Sequence, residues 1–245
     1  MQVLGMDGLT STSDGQRTHR IPRFAIIPSN NRPCVRDCVA AIAPQVDCVI
    51  RVWTREAAGS DGFSVGGSPE FVSLNDPGDI NISRWFNKGL NYIDTWHMMA
   101  KAFGTSTDKW DVAILNDDAI VPEGWFDAVS AKMREMKVAA ACSGGAAVSM
   151  PVLHTQPGPV PIHTRMYGPA FMVAGELGLR ANEELKWWFT DDWMDWESRK
   201  LGGMVMIPGY QVQHLHPNGQ MTGELQEQVS RDATRFKEIY GMMPI

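Results

Sequence analysis

The chain has 245 residues, 44% of them hydrophobic and 20% charged, with a formal net charge of −6. This is globular composition, which excludes fibre and bulk disorder, and the length suits one substantial α/β domain better than two. The acidic balance excludes the basic field of a general nucleic-acid binder. No apolar stretch reaches the length of a membrane span. Residues 1–22 are rich in Gly, Ser, Thr and Asp and lack an apolar leader core. They are expected to form a flexible N-terminal arm on a cytoplasmic protein.

Phe24 to Pro28 is an apolar run broken by proline, read as a first buried strand feeding the polar loop Ser29, Asn30, Asn31, Arg32. Pro33 suits the first turn of a helix that ends near Ala43, before Pro44. Asp47 to Trp53 reads as a second strand, the glycine-rich stretch 55–69 as a mobile loop, and Phe71 to Leu74 as a third short strand. Ser83 is a candidate cap for a helix over 84–102, with apolar positions at Trp85, Phe86, Leu90 and Ile93. Val112 to Leu115 is a fourth strand, and a helix through Trp125, Phe126, Val129 and Met133 follows Pro122. Strands alternating with helices imply a mainly parallel central sheet flanked by crossover helices, with ligands at the carboxyl ends of the strands.

The second half is less regular. Residues 151–165 are proline-rich and read as a long irregular connection. Ala170 to Ala174 and Met204 to Ile207 read as strands, Asp191 to Leu201 as a helix, and Thr222 as the cap of a last helix. Cys34, Cys38, Cys48 and Cys142 have no zinc-like spacing and read as core thiols.

Three polar clusters carry the chemistry. Asn116, Asp117 and Asp118 stand where the Val112 strand stops, and buried carboxylates there are costly without a partner. Hard oxygen donors of this kind suit Mn2+ or Mg2+, which often bridges to a phosphate, although a plain polar turn before Pro122 would leave the same pattern. The second cluster is Asp191-Asp192-Trp193-Met194-Asp195-Trp196-Glu197. Carboxylates in a helix's first turn are favoured by the dipole, by about 0.3–1 kcal/mol each. A second reading makes one carboxylate a general base and Trp193 and Trp196 an acceptor-stacking wall. The third is His214-Leu215-His216. In an extended segment both imidazoles share a face, suiting one metal ligand with a supporting neighbour, or they stand in a solvated loop.

The order of these pieces resembles the A-type (GT-A) nucleotide-sugar glycosyltransferases, in particular inverting family 2, over roughly residues 23–218. Leu115-Asn116-Asp117-Asp118 with Val121-Pro122 and Trp125-Phe126 resembles the family's metal-binding "DxD" element and what trails it. Asp192 to Arg199 resembles its acidic element, with Asp195 and Arg199 at the family's four-residue spacing. Phe24 to Arg32 is similar to the opening strand and nucleotide loop, and Asn81 to Gly89 to the segment near the diphosphate. The resemblance implies an α/β fold with a single Rossmann-like GT-A domain, in which 23–118 form the nucleotide-sugar-binding half and 119–245 the acceptor-binding half.

It further implies Pro28, Asn30, Arg32, Arg84, Asn116 and Asp117 at the donor. Asp118 would be the chief metal ligand, with Asn116 or Asp117 assisting and His214 or His216 completing the metal or diphosphate contacts. Asp192 would be the catalytic base, with Asp191 and Asp195 as rivals. The reaction implied is inverting, metal-dependent transfer from a nucleoside diphosphate sugar to a hydroxyl of a protein, glycan, lipid-linked sugar or modified base. Arg51 to Glu56 departs from the family, which ends its second strand in an acidic run, and so leaves the donor nucleotide unassigned. Two other readings use the same residues: nucleotidyl transfer on the same fold, which would not need Trp193 and Trp196, and a non-catalytic carbohydrate-binding module.

Overall fold

The computed structural model describes residues 20–30, 32–54, 70–104, 107–216 and 223–244. Most of the arm, the 55–69 loop and Thr222 lie outside them. In the first strand, β1 (Arg23–Ser29), successive side chains point to opposite faces. Ala25 and Ile27 join one buried cluster, Phe24 and Ile26 the other. A strand buried on both faces reads as a continuous apolar run, and this explains why β2 (Cys48–Trp53) and β4 (Asp111–Leu115) were legible. With β3 (Glu70–Asn75), they form a parallel block in the order β3-β2-β1-β4.

The sheet continues past β4 through β8 (Ala170–Ala174), antiparallel to it, then β6 (Ala140–Ser143), β9 (Met204–Ile207) and β7 (Val152–His154). Strands from both halves of the chain thus interleave in one eight-stranded, mainly parallel sheet. A two-stranded ribbon, β5 (Ala119–Ile120) with β10 (Gln213–His214), lies beyond the end of β4. Helices α1 (Val35–Ile42) and α3 (Trp125–Met136) cover one face. Helix α2 (Ile82–Ala102) and Met194 of α4 (Thr190–Lys200) pack on the other. The last helix, α5 (Glu224–Tyr240), closes a small cluster of Leu185, Trp196 and Phe236.

Several expectations need correction. Helix α2 is capped by Asn81, whose side chain accepts from Arg84 N at 2.9 Å, and not by Ser83. Ser83 is instead buried, with its hydroxyl 2.8 Å from that of Thr190. Helix α1 begins at Val35, two residues after Pro33. The connection 151–165 contains β7, and β6 carried no clear strand pattern in its Ala-Ala-Cys-Ser sequence. All four cysteines are free and buried.

Candidate active site

The end of β4 delivers Asn116, Asp117 and Asp118 beside the end of β1, because the two strands pair in parallel from Arg23 with Asp111 to Ile26 with Ile114. Ser29, the last residue of β1, donates its hydroxyl to Asp117 Oδ2 at 3.0 Å. Arg32 lays its guanidinium across both aspartates. Its Nε meets Asp117 Oδ1 at 3.0 Å, a second nitrogen bonds the same oxygen, and a third lies 3.1 Å from Asp118 Oδ2. Asp117 and Asp118 are buried, whereas the Arg32 side chain is 41% exposed. Asn116 is anchored through its main chain: its N–H donates to Pro169 O, and its carbonyl accepts from Ala119 N and Cys38 Sγ.

The β5–β10 ribbon brings in the histidine. His214 pairs with Ala119, and Leu215 N donates to Asp118 O at 3.0 Å. His214 Nε2 therefore stands 3.0 Å from the buried Asp118 Oδ1, within ion-pair distance. Burial raises the Asp118 pKa, but the neighbouring His214 and Arg32 outweigh it and hold the carboxyl below its ordinary value. His216 is exposed.

Among the described residues no group of three or more His, Cys, Asp or Glu side chains converges on a metal-sized site. Asp118 and His214 nonetheless fit a divalent cation as a pair. Their 3.0 Å separation is that of neighbouring ligands around a six-coordinate ion with bonds of about 2.1 Å. Asp118 Oδ1 is a buried hard oxygen donor that faces the His214 ring nitrogen. A two-residue set leaves positions for water and phosphate oxygens, the usual arrangement for Mg2+.

A cavity of about 480 Å³ is lined not by these side chains but by segments that hydrogen-bond to the cluster or lead into it. Its wall includes Tyr167, Gly168 and Pro169, the segment whose Pro169 carbonyl holds Asn116, and Gln211 and Val212, which lead into β10. Helix α4 supplies Asp191 to the same wall. Phe189, just before that helix, adopts a left-handed backbone (φ 62°) and packs its ring on Phe236. Gly168 leaves the space that the Asp191 carboxylate fills, since a Cβ there would overlap it.

Helical spacing separates the three acidic candidates of α4. Asp191 faces the cavity. Asp192 is buried next to it, with Oδ1 3.3 Å from an Arg165 nitrogen. Burial and the Asp191 charge push Asp192 up to about 8, against the pull of Arg165. Burial raises Asp191 too. Asp195 points elsewhere, into a fully buried two-pronged ion pair with Arg199 at 2.8 and 2.6 Å.

Trp193 and Trp196 are not brought to the cavity. Both rings pack against Tyr240, and Trp196 also against Phe236. Arg84 lies at the start of α2, paired with Asp76 at 2.7 Å and Asp79 at 3.2 Å. Pro28 is buried in β1 and Asn30 is exposed just beyond it. Sequence reasoning missed Ser29, Arg165 and Gly168. A hydroxyl ending a strand and an arginine in a proline-rich connection carry no periodic signal, and only Gly168's place before Pro169 hinted at a tight approach.

The parallel block, the antiparallel β8 and the flanking helices make a mixed α/β, Rossmann-like fold with a large, mainly parallel central sheet. The chain is similar in structure to residues 1–349 of S. aureus TarS, a GT-A-type glycosyltransferase. The TM-score is 0.53 at 9% identity, over 91% of this chain and 72% of that one. A longer TarS structure matches with a TM-score of 0.49 at 10% identity, over 91% of this chain and 44% of its own. Likeness at this identity speaks for the fold alone. No known family profile and no curated protein matches the sequence. Among the described residues no helix is long and apolar enough to cross a membrane.

Proposed function

We propose that the protein transfers a sugar from a nucleoside diphosphate sugar to an acceptor hydroxyl, with inversion. The observation that carries this reading is the junction of two unlike sites. A half-exposed arginine and a histidine flank buried carboxylates at the ends of β1 and β4, and the adjoining cavity has a carboxylate of its own in the wall. The first suits a diphosphate, the second an acceptor with a proton to lose.

Asp118 and His214 would hold Mn2+ or Mg2+, which when bound neutralises charge on the departing diphosphate. Ser29 and Arg32 keep Asp117 and Asp118 oriented. Burial raises both the Asp191 and the Asp192 carboxyls, and the Asp191 charge raises Asp192 further, to about 8. Asp192 keeps its proton at neutral pH, and Asp191, which lines the cavity, is the base. It takes the acceptor's hydroxyl proton as the new glycosidic bond forms and the bond from the anomeric carbon to the diphosphate oxygen breaks.

The test is release of nucleotide from UDP-, GDP- and dTDP-sugars, with and without Mn2+. Metal-dependent release from one donor, lost in Asp191→Asn, is the expected result. Silence across the panel, with no nucleotide-dependent change in melting, would overturn the reading.

A further inference from the structure

Arg32 occupies an unusual place for a residue of a metal and diphosphate site. Its guanidinium spans both buried aspartates, so the positive charge at their centre belongs to the chain itself. Asp117 is fully engaged, by Arg32 on one oxygen and Ser29 on the other. Asp118 is engaged by arginine on one side only. Arg32 lies 3.1 Å from Oδ2, while the buried Oδ1 faces the His214 ring, with Nε2 at 3.0 Å, and among the described residues no arginine or lysine. A divalent ion taken up at Oδ1 would therefore sit on the same carboxylate as the guanidinium, and the two cations repel.

The arginine is free to yield, because its side chain is 41% exposed while those of its partners are at most 5% exposed. A planar guanidinium that leaves a carboxylate finds an equivalent two-pronged partner in a phosphate. We propose that Arg32 is a displaceable counter-ion, which holds the aspartates in the absence of donor and passes to the donor's diphosphate when a divalent cation binds. Metal and donor binding then become mutually dependent, since each removes an obstacle to the other, and the coupling must be reciprocal. This inference rests on the glycosyl-transfer reading for the identity of the diphosphate ligand.

The experiment measures Mn2+ binding by electron paramagnetic resonance and calorimetry, alone and with saturating UDP, GDP or dTDP. Wild-type protein should bind Mn2+ weakly alone and more tightly with the matching nucleotide. Arg32→Gln should bind Mn2+ alone on the order of tenfold tighter and lose most of the nucleotide's enhancement. Arg32→Lys keeps the charge without the fork, so it should bind Mn2+ alone like wild type yet show a reduced enhancement. Melting curves confirm that each variant is folded. Unchanged or weaker Mn2+ binding in folded Arg32→Gln, beside a wild type that turns over nucleotide sugar, overturns the counter-ion role alone. Tighter Mn2+ binding in Arg32→Gln, with no nucleotide recognised by either protein, supports the counter-ion role and overturns the sugar-transfer reading.

Discussion

Replacing Asp195 by Asn separates a structural carboxylate from a catalytic one. The Asp195 and Arg199 side chains are at most 1% exposed and joined at 2.8 and 2.6 Å, and Arg199 also donates to Gly158 O at 2.9 Å. Asn keeps the shape but removes the charge, leaving a guanidinium uncompensated in the core. Breaking a buried pair in this way costs about 3–5 kcal/mol. For a domain of this size each kcal/mol moves the melting temperature by roughly 2–4 °C, so a fall of roughly 6–20 °C is expected. Differential scanning fluorimetry reads the shift directly. Asp191→Asn, whose carboxyl faces the cavity, should instead melt at or slightly above wild type while losing turnover. The double change Asp195→Leu with Arg199→Met should recover much of the loss, because a well-packed apolar pair needs no compensating charge. If Asp195→Asn melted like wild type and had lost turnover, Asp195 would be the base and the assignment of Asp191 would be wrong.

Other outcomes follow from the same geometry. An unfolded aspartate titrates near about 3.9, whereas Asp192 is pushed up to about 8. Between these values the folded protein binds more protons, so stability is full below the lower value and is lost as pH rises through the higher one. Urea melts over this range should show the decline in wild type and a flatter profile in Asp192→Asn; equal slopes would refute it. Gly168→Ala forces a Cβ into the Asp191 carboxylate, so turnover should fall at least about tenfold with little change in melting. Asp118→Asn should abolish any Mn2+-dependent rise in melting temperature. Trp196→Ala, which empties a core site against Phe236 and Tyr240, should cost about 3–5 kcal/mol, while Trp193→Phe should leave the acceptor KM unchanged.

Much of the fold was legible locally. β1, β2 and β4 are unbroken apolar runs because both their faces are buried, and α2 showed its buried face through Trp85, Phe86, Leu90 and Ile93. β6 was not legible, since Ala140 to Ser143 has weak strand propensity and is extended because β8 and β9 flank it. The cap of α2 was misplaced by two residues for a related reason. Ser83 is a good cap in isolation, but its hydroxyl is taken by Leu185 and Thr190, far away in the chain.

The site divides along the same line. Sequence alone placed Asn116 to Asp118 at the end of a central strand and a carboxylate cluster at the start of a helix, because strand ends and helix starts are set by nearest neighbours. It could not say which carboxylate looks into a cavity. That depended on the phase of α4 against the sheet, which aims Asp191 at Gly168 and Asp195 at Arg199. It also depended on the docking of α5, whose Tyr240 packs against Trp193 and Trp196, neither of which lines the cavity. Nor could it show that Arg32 bridges the two aspartates or that His214 meets Asp118, contacts closed by β1 and β10 across long stretches of chain. Propensity and periodicity act over a few residues, whereas the direction of a polar side chain is decided by whatever packs against it from elsewhere in the fold.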